Sequence, residues 1–233
     1  MVMFGDARFA DRRDAGRRLG QALQQLGLRD PLVLALPRGG VPVAFEVAQA
    51  LKAQLDIMLV RKIGAPHFPE LGLGAVADGH DPQTVLNADA MAEVRPPAGY
   101  IEQESERQLA EIERRRKIYV GDRKPPDLRG RAVVLVDDGI ATGGTVKVAL
   151  LALKREGAGQ IVLAIPVAPK EVIERLREFA DRVVCLATPD SFRAVGLHYD
   201  DFEQTTDDEV VRLLNAARPS GGLGDAKAHG LAG

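Results

Sequence analysis

Between Asp11 and Leu26 the apolar residues Ala15, Leu19, Ala22, Leu23 and Leu26 recur at helical spacing, which predicts an amphipathic helix. Arg12, Arg13, Arg17 and Arg18 fall mostly on its other face, and a solvated helix surface accounts for them better than a basic docking patch. The run LVLAL, residues 32–36, is apolar throughout and ends at the turn Pro37-Arg38-Gly39-Gly40, after which a helical pattern continues to Leu51. Asp56 to Val60 then supplies a second buried strand. Residues 32–60 therefore read as a βαβ unit with a parallel, right-handed crossover.

The next stretch, 63–99, breaks that rhythm. Glycines and prolines surround two short alternating runs, Gly72 to Ala77 and Thr84 to Leu86, which predict a hairpin with mobile loops. From Tyr100 to Tyr119 a long charged helix is expected, with a narrow stripe made by Ile101, Leu109, Ile112 and Tyr119. Strands are expected at Ala132–Val136, Gln160–Pro166 and Arg182–Leu186, separated by helices over 144–156 and 169–179. Thr206-Asp207-Asp208-Glu209 is a capping box that opens a last helix running to about Ala217. Alternation of strand and helix predicts an α/β fold, a parallel sheet covered by helices on both faces, with the small hairpin region beside it. Residues 1–218 form one domain in this reading, and the Gly- and Ala-rich residues 219–233 a disordered tail.

Composition narrows the partners. A formal net charge of −2 leaves no excess of Lys and Arg to neutralise nucleic-acid phosphates. The amino-terminal residues interleave acids and arginines, unlike a secretory signal, and no apolar stretch approaches the roughly 20 residues that cross a bilayer. A cytoplasmic address is the expectation. The single cysteine, Cys185, lies in the apolar run RVVCLA and reads as a buried reduced thiol without a catalytic neighbour. His67, His80, His198 and His229 are dispersed and suggest no metal cluster.

The chemistry concentrates in VVLVDDGIATGGT, residues 133–145. Four apolar residues carry the chain to the carboxyl edge of a parallel sheet, where open α/β folds bind ligands. Asp137 and Asp138 follow, then Gly139, Ala141, Thr142, Gly143, Gly144 and Thr145, with a helix beginning at once. Glycines let several N–H groups converge on an anion beside the positive end of that helix. The loop lacks the Walker spacing and its lysine, which argues against an NTPase. Two carboxylates beside a phosphate site need separate work, and accepting hydrogen bonds from the two vicinal hydroxyls of a ribose is such work.

This pattern resembles the signature of the type I phosphoribosyltransferases, which bind 5-phosphoribosyl 1-diphosphate (PRPP). The resemblance implies that Asp137 and Asp138 hold the ribose diol and that Ala141 to Thr145 hold the 5-phosphate. It gives LPRGG the part of the diphosphate loop, implicating Pro37, Arg38, Gly39 and Gly40. It gives VRKIGAP, in the turn after the second strand, the part of a basic pair against the diphosphate, Arg61 and Lys62, so that all three turns would lie on one edge of the parallel sheet. The segments GAPHFPELGLGAV and AVGLHYDDFEQTTDDEV are most similar to the bacterial phosphoribosyltransferase-like proteins, in which residues 63–99 would be a mobile cover and residues 188–206 a hood over the acceptor.

The implied activity is transfer of a 5-phosphoribosyl group from PRPP to a nitrogen acceptor with release of diphosphate, and Mg²⁺ is implied as a cofactor bound mainly through PRPP. Arg38 and Lys62 would stabilise the leaving group, and Asp137 and Asp138 the ribose. Ala141 stands where hypoxanthine- and guanine-type members carry an aspartate, so a 6-oxopurine acceptor handled in the usual way is disfavoured. His198, Tyr199 and Phe202 are candidates for an acceptor wall, and Asp200 and Asp201 for a base. The alternative is a regulatory protein that senses PRPP or a nucleotide without turnover, against which stand the retained Arg38 and Lys62. A phosphate-accepting signalling domain would need an acidic pair after the first strand, and LVLALPRGG has none. The chain is expected to act as a monomer or a homodimer, with PRPP and the acceptor as its small-molecule partners and no nucleic acid or membrane among them.

Overall fold

The computed structural model describes residues 8–79 and 82–218, so the expected tail, His80 and His229 lie outside the described residues. In chain order the elements are α1 (Arg12–Gln24), β1 (Leu32–Ala35), α2 (Gly40–Leu51), β2 (Gln54–Ile57), β3 (Val60–Ala65), β4 (Phe68–Ala77), β5 (Gln83–Leu86) and α3 (Ala88–Val94). They continue as α4 (Tyr100–Val120), β6 (Ala132–Val136), α5 (Gly144–Arg155), β7 (Gln160–Val167), α6 (Lys170–Leu176), β8 (Arg182–Ala187), a 3₁₀ turn (Val195–His198) and α7 (Asp207–Ala216). Five parallel strands pair in the order β2-β1-β6-β7-β8, and β3-β4-β5 form a separate antiparallel sheet. The fold is α/β, a parallel sheet covered by helices on both faces, as the alternation of elements predicts.

The near-continuous apolar strands follow from burial on both sides. Val33, Ala35, Val134, Val136, Val162 and Ala164 face a core shared with α1, α2, α4 and α7. Their neighbours Leu34, Val133, Leu135, Leu163 and Ile165 face a second core with α5 and α6. Cys185 is buried in that second core, its Sγ donating to the Ala187 carbonyl, and burial pushes the thiol up to about 11. It is an inert thiol at neutral pH, as its apolar surroundings predict.

Two sequence expectations change here. The apolar pattern predicts the second strand over Asp56–Val60, but β2 ends at Ile57 and Val60 opens a different sheet. Met58 N–H still reaches the Ala35 carbonyl, whereas Leu59 N–H turns to the Asp78 carboxylate at 2.6 Å, so the chain leaves the parallel sheet between them. Residues 63–79 and 82–99 likewise hold more regular structure than a hairpin: they complete a three-stranded sheet and add α3, capped by Asn87. A period-two pattern interrupted by Gly64, Gly72 and Gly74 hides that sheet, because β3 and β4 are paired through register shifts at Ile63–Ala65.

A buried charge cluster fastens the small sheet to the large one. Asp56 on β2 is 1% exposed and Asp78, just past β4, is 4% exposed. Arg116 of α4 bridges them, with Nη1 2.9 Å from Asp78 and Nη2 3.3 Å from Asp56, and Arg123 adds a contact of 3.4 Å to Asp56. Burial outweighs Arg116 at Asp78 and pushes its carboxyl up to about 6, above the 3.8 of an exposed aspartate. The folded chain therefore binds a proton more tightly here than the unfolded chain. The corresponding stability is complete below about pH 4 and is lost as the pH rises through 6, a loss of about 3 kcal/mol for a carboxyl raised this far. Urea titrations between pH 4 and pH 7 should show Asp78→Asn removing much of this decline, and an identical slope in the variant would rule the assignment out.

Candidate functional site

The end of β6 delivers Asp137 and Asp138 to the carboxyl edge of the sheet, beside β1 and its Pro37–Gly40 turn. Asp137 Oδ1 accepts the Asp138 N–H at 2.9 Å. The two turns are in contact: a Cβ on Gly39 would overlap the Asp138 carboxylate, and one on Gly40 would come within 2.9 Å of the Val136 carbonyl and 3.0 Å of Asp137 Cα. Glycines at 39 and 40 are thus required by close approach, since Gly39 itself has φ −58°. The Pro37–Arg38 peptide is cis.

Beyond the acids, Ile140 N–H bonds to the Val167 carbonyl and fixes the loop to the neighbouring strand. Gly143 turns the chain into α5 at φ +82°, a conformation that glycine adopts without cost. It caps the helix without a side-chain hydrogen bond. Among the described residues, the N–H groups of Ala141 to Val146 donate to no protein acceptor. A run of free donors at a helix amino end is a site for a phosphate-sized anion. Thr142, Gly144 and Thr145 also border a hollow of about 670 Å³ whose other walls include Lys62, Asn87 and Lys147.

Burial raises the carboxyl of Asp137 well above the usual aspartate range, and the charge of Asp138 beside it adds to this. Asp138 is also raised by burial, while Arg12 opposes the shift. Two crowded, desolvated acids are poised to accept hydrogen bonds or a nearby cation, either of which relieves their repulsion.

The structure distributes the other expected residues less simply. Arg61 and Lys62 lie on β3 of the antiparallel sheet, not on a turn at the edge of the parallel one, which corrects their expected placement. As neighbours on a strand they point to opposite sides. Arg61 Nε donates to Gln108 Oε1 at 3.0 Å, toward α4, whereas Lys62 faces the hollow beside Thr142 to Thr145 and pairs with Glu70 at 3.1 Å. Arg38 stands 3.7 Å from Asp207 at the start of α7. Arg38 and Lys62 therefore engage different partners.

Helical spacing puts Arg12 on a solvated face, but the folded chain makes it part of this site. Its side chain is 12% exposed, with Nε 2.8 Å from Asp138 Oδ2 and Nη1 2.7 Å from the Glu203 carbonyl. The guanidinium lies 3.8 Å over the Phe202 ring. Periodicity alone turns it outward, yet one signal points to it. Arg12 opens α1, where the helix dipole disfavours a cation, so a nearby anion would offset that cost. In the 188–206 segment Tyr199 is buried against Phe9 and donates from its hydroxyl to the Asp138 carbonyl at 2.5 Å. Val195 covers Gly139 so closely that a Cβ there would overlap it. His198 stacks on Phe192.

Residues 11–201 match the phosphoribosyl transferase domain family. A protein of Mycobacterium tuberculosis bearing the name "Putative phosphoribosyl transferase" is 48% identical over 209 residues, which are 90% of this chain and 47% of that protein. The chain thus spans about half the length of the curated relatives it matches. An orotate phosphoribosyltransferase of Methanopyrus kandleri is 38% identical over 90 residues, 37% of this chain and 49% of that protein. The crystal structure of TT1426 from Thermus thermophilus superposes with a TM-score of 0.79 at 46% identity, covering 91% of this chain and 100% of that one. Among the described residues no helix is long and apolar enough to cross a membrane. With a family match over most of its length and the acid pair and glycine loop on the edge where that fold binds ligands, the chain belongs to the phosphoribosyl transferase family.

Proposed function

We propose that the chain transfers a 5-phosphoribosyl group from PRPP to a nitrogen acceptor and releases diphosphate. The observation that carries this reading is the junction of two carboxylates with a run of free N–H donors, closed on one side by the glycines of a second turn. In this reading the vicinal ribose hydroxyls donate to Asp137 and Asp138, and the 5-phosphate accepts from Ala141, Thr142, Gly143, Gly144 and Thr145. The diphosphate lies against Pro37, Arg38, Gly39 and Gly40, with Lys62 and Arg61 brought from β3. Gly139 lets the chain pass beneath Val195.

The nitrogen lone pair attacks the anomeric carbon as its bond to the diphosphate oxygen breaks, so positive charge builds on the ribose ring. The protein contributes position and electrostatics: carboxylates beneath the ring and donors around the departing oxygens. Arg38 and Lys62 act on the leaving charge after exchanging Asp207 and Glu70 for it. Mg²⁺, bound mainly through PRPP, would neutralise part of that charge. The crowded acid pair fits a cation arriving with the substrate, because repulsion between its carboxylates is relieved by nearby positive charge. Ala141 weighs against a 6-oxopurine acceptor, and the hood residues His198 and Phe202 remain the proposed acceptor wall, with Asp200 or Asp201 as base, whereas Tyr199 is buried with its hydroxyl on the Asp138 carbonyl and drops out of that wall. Substrates are small molecules and a cytoplasmic address completes the reading.

Mg²⁺ with PRPP should raise the melting temperature, and Asp137→Asn combined with Asp138→Asn should abolish that rise. A rise of the same size in the double variant would contradict the ribose assignment. A panel of nucleobases and amines assayed for diphosphate release then separates turnover from sensing. Binding without release across the panel would favour the sensor, a reading to which the separate engagements of Arg38 and Lys62 lend support.

A further inference from the structure

We propose that Arg12 is a positioning residue of the ribose site, clamping the Asp138 carboxylate as an anion in one orientation and coupling it to the 198–205 segment. The inference rests on the ribose reading above and adds to it a residue from the far end of the chain.

The clamp has three holds. Arg12 Nε donates to Asp138 Oδ2 at 2.8 Å, Nη1 donates to the Glu203 carbonyl at 2.7 Å, and the planar cation stacks 3.8 Å over Phe202. Holding a long side chain at 12% exposure costs rotamer freedom, which three simultaneous contacts offset. The same segment grips Asp138 a second time, through the Tyr199 hydroxyl on its carbonyl. Both grips come from one unit. Phe9 N–H bonds to the His198 carbonyl, and Asp200 and Asp201 N–H groups bond to the carbonyls of Phe9 and Ala10, so the lead-in to α1 is zipped to residues 198–201. Phe9, Tyr199 and Phe202 form a run of rings with centroids 5.3 and 5.0 Å apart.

The electrostatic need is specific. The charged or titratable groups facing the Asp138 carboxylate are Asp137 on its own turn, Arg12 from α1 and Tyr199 from the 198–205 segment, while Gly39 presents backbone. Asp137 repels, Tyr199 is neutral because burial raises its hydroxyl, and Arg12 supplies the opposing charge. Without that cation, burial and the neighbouring acid favour a proton on the pair. A carboxyl that carries a proton has fewer lone pairs for ribose hydroxyls.

Two measurements test the clamp separately from the ribose reading. The first is ligand-free: carboxyl-carbon NMR across a pH titration should show the Asp138 midpoint moving upward in Arg12→Met and staying near the wild-type value in Arg12→Lys. An unmoved midpoint in Arg12→Met overturns the proposal whether or not PRPP binds. The second is PRPP–Mg²⁺ affinity. Arg12→Met should weaken it about ten- to a hundredfold at pH 7, with the deficit shrinking toward pH 9, and Arg12→Lys should recover much of it. A shifted midpoint with unchanged affinity and pH profile overturns the role in binding. Failure of the wild type to bind PRPP at all sinks the ribose reading, and with it the positioning role, even where the NMR shift verifies the ion pair. Should Arg12→Met not fold, Phe202→Leu, which removes the stacked face and leaves the charge, is expected to weaken affinity by a smaller factor without moving the midpoint, and no loss of affinity overturns the coupling to residues 198–205.

Discussion

Replacing Arg116 with methionine is expected to lower folding stability by about 3–5 kcal/mol at pH 7, the usual cost of stranding buried charge. Asp78 would lose its ion pair with Arg116, while Asp56 would retain Arg123 at 3.4 Å. Even in the intact cluster, Asp56 Oδ2 and Arg116 Nε have no hydrogen-bond partner, so little spare solvation is available to absorb the change. Asp78 should then hold its proton to higher pH, which makes the loss smaller in acid than at neutrality. Urea midpoints with unchanged slopes, compared at pH 5 and pH 7, measure it. A loss below about 1 kcal/mol at pH 7 would show that water reaches the cluster and that it does not fasten the two sheets.

A large loss of ligand binding is expected from Gly39→Ala. The backbone at Gly39 has φ −58° and ψ −32°, so alanine meets no conformational objection there. Its methyl group would instead overlap the Asp138 carboxylate, which Arg12 holds in place. Overpacking of this kind costs about 1–3 kcal/mol of stability, and a displacement of about 1 Å at a reacting site can cost a hundredfold in function. PRPP–Mg²⁺ affinity should fall by about that factor while the fold persists. Pairing Gly39→Ala with Asp138→Ala should recover stability relative to additivity, because the collision is removed. Normal PRPP affinity in Gly39→Ala would mean that the turn yields, and that its contact with the acids is incidental.

The candidate site was legible where its parts lie close together in the chain. Val133 to Thr145 carries an apolar strand, two acids, a glycine turn and a helix start in thirteen residues, and each local preference agrees with its neighbours. The parallel strands at 32, 132, 160 and 182 were legible for the same reason, as short apolar runs buried on both sides. Arg61 and Lys62 were found as a pair, but their sheet was not: whether Val60 continues β2 or opens β3 depends on Leu59 N–H choosing Asp78, nineteen residues away.

Arg12 shows the limit most clearly. Its pairing with Asp138 spans 126 residues, and helical spacing among four arginines gave no reason to single it out. Arg116 is similar, since a position on a polar helix does not reveal that two aspartates, 60 and 38 residues earlier, lie buried beneath it. By itself the amino-acid order determined the α/β architecture and the glycine turn between β6 and α5, because hydrophobic period and glycine geometry act over a few residues. Only the folded chain decided which arginine neutralises the acids and which sheet carries Lys62, because a charge selects its partner by distance through space after the strands have packed.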